Sequence, residues 1–257
     1  MEAKIPLTVV TLAKNESSRI AACLASVEWA AERLVIDDNS TDDTVAIAMR
    51  CGARVLTRAM ENEGRHRNWA HTQASNEWIL SLDADEHVSP ELADELRALF
   101  RSTPAFETYA IPRRTYLGKR WIRYGGWYPS GQMKLFKRSV LKWEEASVHP
   151  RALAAVAWGT LQKDILHYSY RDLQDYLAKL NRHTTLEAQK WVTDKRRMPM
   201  GKAFWRAFDR FFRAYVMKKG YRDGFLGFSL AWMGGAYQLL SYGKYLEFTQ
   251  NAHESAR

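Results

Sequence analysis

Residues 7 to 100 alternate short apolar runs with stretches whose apolar positions recur every three or four residues. That is the pattern of strands connected by helices over a parallel sheet. Leu7 to Leu12 predicts a first strand, and Ile20, Cys23, Leu24 and Val27 predict a helix over Arg19 to Trp29. Leu34-Val35-Ile36 predicts a second strand that ends in acids. Ser40, Thr41, Asp42 and Asp43 then predict a helix start, because hydroxyls cap free amides and carboxylates favour the positive end of the helix dipole, and Gly52 ends that helix. Ala53 to Leu56 reads as a third strand, Gly64 to Ala74 as a helix, and Trp78 to Leu82 as a fourth strand arriving at Asp83. Ser89-Pro90-Glu91 opens a further helix, with Ser as cap and Pro at its first position.

From Thr108 to about Tyr170 the pattern changes to short strand-like runs, Tyr109 to Pro112, Gln132 to Lys137 and Ala152 to Trp158, between loops bearing Gly and Pro. Beyond Arg171 the chain reads as helical up to a polar tail. The expected fold is therefore α/β: a Rossmann-like mixed sheet flanked by helices over residues 1–170, with a helical, basic and aromatic extension over 171–257. In that extension Phe204, Phe208, Phe211 and Tyr215 share one helical face, and Arg206, Arg210 and Arg213 occupy the opposite one. Such a helix suits an anionic membrane surface, and equally a surface helix whose aromatic stripe packs on the α/β domain. Gly224 to Gly243 carries no charged residue, but its five glycines, Ser229, Gln238 and Ser241 predict a buried or interfacial helical hairpin, a surface for homo-oligomer formation, rather than a membrane span.

Composition narrows the class. A hydrophobic share of 46% and a charged share of 26% are those of a folded protein able to bury a full core, which excludes long disordered tracts. The net charge of +9 points to anionic partners. Its whole excess lies between Lys195 and Arg222, where ten Lys or Arg accompany one acid, Asp209. Cys23 and Cys51 lack metal-ligand spacing, and the N-terminus runs directly into a strand pattern without the features of a signal peptide. The expectation is a cytoplasmic protein.

Two strand ends carry candidate chemistry: Asp37-Asp38-Asn39-Ser40 after the second strand and Asp83-Ala84-Asp85-Glu86 after the fourth. In an open parallel sheet, ligands collect at the carboxyl ends of strands. Carboxylates two apart on an extended segment point to the same side and can reach one divalent cation, Mg or Mn, which in turn can bridge a diphosphate. The same pairs also serve as ordinary turn and cap chemistry.

The segments Val9-Val10-Thr11-Leu12-Ala13-Lys14-Asn15-Glu16, Asp37 to Thr44, Gly64-Arg65-His66-Arg67-Asn68 and Leu82 to Glu86 resemble, in order and spacing, glycosyltransferase family 2, inverting enzymes of the GT-A fold. Gly126-Trp127-Tyr128-Pro129, Val148-His149 and His167-Tyr168-Ser169-Tyr170 resemble one subgroup, the bacterial lipopolysaccharide core glucosyltransferases. The resemblance implies a nucleotide-sugar donor, a UDP-sugar, with Ala13 and Glu16 in the donor site, Asp37 at the nucleobase, Arg67 along the nucleotide, and Asp83 by the ribose and diphosphate. It makes Asp85 the metal ligand, with His167 joining the metal and phosphates. It also implies a glycan or glycolipid acceptor and a peripheral position on the inner face of the plasma membrane, with no nucleic-acid partner.

Inverting transfer needs a base for the acceptor hydroxyl. The subgroup carries an acid directly after Val-His, where this chain has Pro150, which cannot take a proton. Glu144, Glu145 and His149 are the nearest candidates, and a strand through this segment would put Glu145, Ser147 and His149, or else Glu144 and Val148, on one face; Glu145 is the choice. Two other readings compete. A metal-dependent sugar nucleotidyltransferase would want a glycine-rich turn after the first strand, where this chain has Ala13-Lys14-Asn15-Glu16. A non-catalytic protein binding anionic surfaces would leave both acidic strand ends unexplained.

Overall fold

Four parallel strands, Arg54–Thr57, Ala30–Asp37, Ile5–Ala13 and Trp78–Asp83 in that spatial order, form the centre of a mixed sheet in a computed structural model that describes residues 4–145 and 150–254. Along the N-terminal part run β1 (Ile5–Ala13), α1 (Ile20–Ala25), β2 (Ala30–Asp37), α2 (Thr44–Arg50), β3 (Arg54–Thr57), α3 (Glu63–Thr72), β4 (Trp78–Asp83), β5 (Glu86–Val88) and α4 (Pro90–Leu99). There follow β6 (Thr108–Ile111), β7 (Arg113–Leu117), β8 (Arg120–Ile122), β9 (Gln132–Lys137), β10 (Leu141–Trp143), β11 (Ala152–Ala154), β12 (Gly159–Thr160) and β13 (Ile165–Tyr170). The C-terminal helices are α5 (Leu173–Thr193), α6 (Met200–Phe212) and α7 (Gly224–Glu254). Antiparallel β9 beside β4, then β6 and β12, complete a seven-stranded mixed sheet, the α/β architecture expected from the sequence.

The strands of the parallel core are buried on both faces, as strands sandwiched between helices must be. Leu7 and Val9 join Leu80, Leu92 and Leu96 on one face, while Val10 joins Leu34, Ile36, Ile79 and Phe136 on the other. Two compact units partition the chain: Met1–Arg114 with Ser130–His167, and Thr115–Pro129 with Tyr168–Arg257. Residues 115–129, which the sequence pattern groups with the N-terminal domain, thus cluster with the C-terminal helices.

Four local expectations need correction. The helix expected over Arg19 to Trp29 stops at Ala25, because the Ser26 hydroxyl donates back to the Cys23 carbonyl and Trp29 Nε1 donates to the Ser26 carbonyl, competing with the helical ladder. The start of α2 is held by Asp42, which accepts from Thr44 N at 3.0 Å, while Ser40 is drawn away to receive Asn15 N. The run Ala152 to Trp158 is strand only over Ala152–Ala154, and β12 begins just beyond it at Gly159. Finally, Gly224 to Gly243 is no hairpin but part of one continuous helix. Gly235 permits close approach rather than a turn: a Cβ there would lie 2.9 Å from the Ala207 carbonyl oxygen of α6. No described helix is long and apolar enough to cross a membrane.

Candidate functional site

Register places the chemistry. Ala13 pairs with Asp37 and Leu12 with Asp83, so the last residues of β1, β2 and β4 end side by side, where the loops diverge. Asn15 and Asn39 take positive φ values of 53° and 51° there, a conformation asparagine tolerates better than most residues. The two turns are stitched together: Asn15 N donates to Ser40 Oγ, Thr41 N to Asn15 Oδ1, and Glu16 N to Thr44 Oγ1. The motif-bearing loops therefore present one rigid rim. Below it lies a cleft of about 330 Å³ walled by Ala13, Lys14, Glu16, Asp38, Glu63, His66, Arg67, Asp83, Asp85 and His167, among others.

The segment Gly64 to Asn68 on α3 explains itself in this setting. Gly64 has no Cβ because one would lie 1.8 Å from the Glu144 carbonyl oxygen. Asn68 clamps the backbone of Trp143, accepting from its N–H at 2.7 Å and donating to its carbonyl at 2.9 Å. Between them Arg67 reaches into the cleft, donating to Glu63 at 3.0 Å and to Asp83 Oδ1 at 3.1 Å with its plane 5.1 Å from the Trp143 ring.

The two acids after β4 have different surroundings. Asp83 is held by Arg67 on one oxygen and by Lys134 on the other at 3.4 Å. Burial works to raise its pKa, but these two cations hold the carboxyl far below the ordinary range. Lys134, on β9, also donates to Glu86 at 2.5 Å, and Glu86 is fully buried and accepts from Asp83 N and Arg113 as well. Asp85 pairs with His167 Nε2 at 3.4 Å. Burial again opposes its ionisation, and the histidine more than compensates, leaving the pKa lowered. His167 arrives there because β13 pairs antiparallel with β5, setting His167 opposite Glu86.

Among the described residues no three acids, histidines or cysteines converge on a preformed metal cage. Asp85 and His167 nevertheless supply an oxygen and a nitrogen donor side by side, and the buried Nδ1 of His167 has no hydrogen-bond partner. That donor set fits a divalent cation which takes its remaining ligands from diphosphate oxygens and water.

Of the residues singled out from the sequence, Ala13, Glu16, Arg67, Asp83, Asp85 and His167 line one cleft. Asp37 does not: it is 1% exposed and accepts from Ser40 N at 3.0 Å, a turn role, while its neighbour Asp38 faces the cleft. Asp38 accepts from Lys14 and from Met60 N; burial raises its pKa, and these partners lower it further than that. Consecutive residues at a strand end point to opposite sides, so alternation alone signalled that only one of the pair could face out. Lys134 was missed too, although a lysine inside the apolar run Met133-Lys134-Leu135-Phe136 was the available signal.

Glu144 and Glu145 stand outside the cleft wall. Among the described residues the strand ends at Trp143, and Glu144 N donates to the Arg151 carbonyl across the hairpin. The Glu144 carboxylate is gripped by Arg151 at 2.9 and 3.0 Å. Glu145 makes a loose, exposed pair with Arg65 at 3.6 Å. His149 lies outside the described residues.

The family model "Glycosyl transferase family 2" matches residues 8–152. An uncharacterized glycosyltransferase of Rickettsia conorii is 40% identical over 100 residues, 38% of this chain and 35% of the relative, so the chain matches only about a third of that protein's length. The lipopolysaccharide core biosynthesis glycosyltransferase LpsC of Rhizobium meliloti is 25% identical over 94% of this chain and 92% of its own. Among solved structures, residues 1–349 of S. aureus TarS align over 98% of this chain and 91% of that one, with 15% identity and a TM-score of 0.48.

Proposed function

Because the chain belongs to glycosyl transferase family 2, we propose that it is an inverting enzyme that moves a hexose from a UDP-sugar to a saccharide or lipid-linked acceptor. The likeness to LpsC over most of both chains supports lipopolysaccharide core as the acceptor, met at the inner face of the plasma membrane. The observation that carries the reading is the division of labour after β4: one acid fixed by two cations, the other beside a histidine with donors to spare.

Asp38 and Lys14, at the end of the cleft near β2, are the polar groups for the nucleobase. We assign that contact to Asp38 in place of Asp37. Asp83, immobilised by Arg67 and Lys134, is an oriented acceptor for donor hydroxyls, and Arg67 adds positive charge along the diphosphate. Asp85 and His167 would hold a divalent cation, which when bound supplies charge to stabilise the departing diphosphate. The acceptor hydroxyl needs a base. Glu145 is proposed for it over Glu144, since the carboxylate of Glu144 is already engaged by both prongs of Arg151.

A donor screen tests the reading: UDP release from a panel of nucleotide sugars, with and without Mn²⁺ or Mg²⁺. Cation-dependent release from a UDP-hexose is expected, and the absence of release from every nucleotide sugar under both conditions overturns it. On the acceptor side, Glu145→Gln is expected to lower turnover by about 10²–10⁴-fold, whereas wild-type rates in that variant with a loss in Glu144→Gln or His149→Ala would move the base elsewhere.

A further inference from the structure

We propose that an aromatic face shared by α6 and α7 is a docking surface for an anionic lipid bilayer. Small residues hold α6 in place: Ala203 and Ala207 are its buried positions. Its large rings are left in water instead, with Trp205 65%, Phe208 58% and Phe212 42% exposed. The start of α7 repeats the pattern, with Phe225 83% and Trp232 62% exposed. Phe211 joins the two rows, its ring 6.0 Å from Phe228 and 6.3 Å from Trp232. Scattered apolar residues on a surface are ordinary, but a joined row of aromatic rings marks a place where another apolar phase arrives.

Charge identifies that phase. Exposed Lys195, Arg197 and Lys202 stand before or at the start of α6, and exposed Lys218, Lys219 and Arg222 fill the turn into α7, so cations bracket the aromatic rows. Asp209 is the one acid between Lys195 and Arg222, and Arg213 already takes it at 2.7 Å. A second copy of this face would bring cations against cations, which disfavours self-association. An anionic headgroup layer meets the cations, while Trp and Phe rings enter the boundary between headgroups and acyl chains. No described helix is long and apolar enough to span, so the contact lies in the interface plane.

The surface deepens the membrane-face part of the proposed function, yet vesicle binding and UDP release can fail independently of each other. The full chain is sedimented with vesicles of phosphatidylcholine alone or with about one-third phosphatidylglycerol. Binding to the anionic vesicles that weakens with salt is expected, with far less on phosphatidylcholine. Trp205→Ser with Trp232→Ser should lower it about tenfold or more, and Phe225→Ser, at a site too exposed to disturb packing, should lower it in the same direction. Lys218→Gln, Lys219→Gln and Arg222→Gln together should lower both binding and its salt dependence. UDP release should be unchanged in all of these variants. No binding of the wild type to anionic vesicles, wild-type binding by the tryptophan and Phe225 variants, or a dimer that the tryptophan variant dissociates would each overturn the proposal.

Discussion

At the ends of β1, β2 and β4 the acids are answered from within the fold: Asp83 by Arg67 and Lys134, Asp38 by Lys14, Asp85 by His167. Along α6 and the start of α7 the arrangement is reversed, with large rings left in water and cations far outnumbering acids. Buried, cross-held charges keep their geometry and can orient a small polar ligand. Exposed rings and loosely held cations impose no such geometry and suit a broad, soft partner. The two regions should therefore respond to substitution in opposite ways: the cleft through stability and donor chemistry, the helical face through surface binding with the fold unchanged.

Lys134→Met should give the largest effect. It leaves Glu86 buried with one partner fewer and Asp83 with Arg67 alone, and breaking a buried pair by removing one member costs about 3–5 kcal/mol. Urea unfolding measures it; a loss comparable with that of a surface variant would erase the contrast between the regions.

A smaller effect comes from pH. Burial, followed by the charges of Arg67 and Lys134, pushes His71 down from 6.5 to about 3. Its folded-state pKa is depressed, so the unfolded chain binds the extra proton: stability is fully present above pH 6.5 and is lost as pH falls from 6.5 toward 3. Each such proton contributes a slope of about 1.4 kcal/mol per pH unit. His66 and His87, lowered chiefly by burial, add to the same trend. Replacing His71 with Leu should remove about one proton's worth of slope between pH 6 and 4.5, as read by unfolding curves; an unchanged slope would show that His71 protonates freely in the fold.

The smallest effects belong to the helical face. Arg213→Met removes an exposed i, i+4 pair with Asp209 and should change stability by about 0.5 kcal/mol or less. Phe208→Ser should also stay within about 0.5 kcal/mol, since its ring is already in water. Unfolding shifts of several kcal/mol in either variant would mean that this face is structural.

The regions also differ in how far the sequence announced them. Strand ends are legible because alternation and helix caps fix where β1, β2 and β4 stop, and four ordered motifs converge there. The choice between Asp37 and Asp38 was not legible, since it depends on which neighbour the Asn15–Ser40 turn draws inward. Lys134 was hidden by distance along the chain: it comes from β9, antiparallel to β4, and only that pairing brings it to Asp83. On the helical side, the five glycines of Gly224 to Gly243 suggested a hairpin because sequence does not distinguish a glycine that bends a helix from one, such as Gly235, that lets another helix approach. Phe208 and Phe211 of the aromatic face were visible in the sequence, but Trp205 and Phe212 lie off the expected stripe, and the exposure depended on Ala203 and Ala207 being the positions that face inward.

We propose that Asp83 is engaged by protein cations while Asp85 is left for a metal. Titration of Mn²⁺ into the protein with UDP present, comparing wild type with Asp85→Asn, tests it without requiring turnover. The account expects Mn²⁺ affinity to fall about tenfold or more in Asp85→Asn; equal affinity in the two proteins would contradict it.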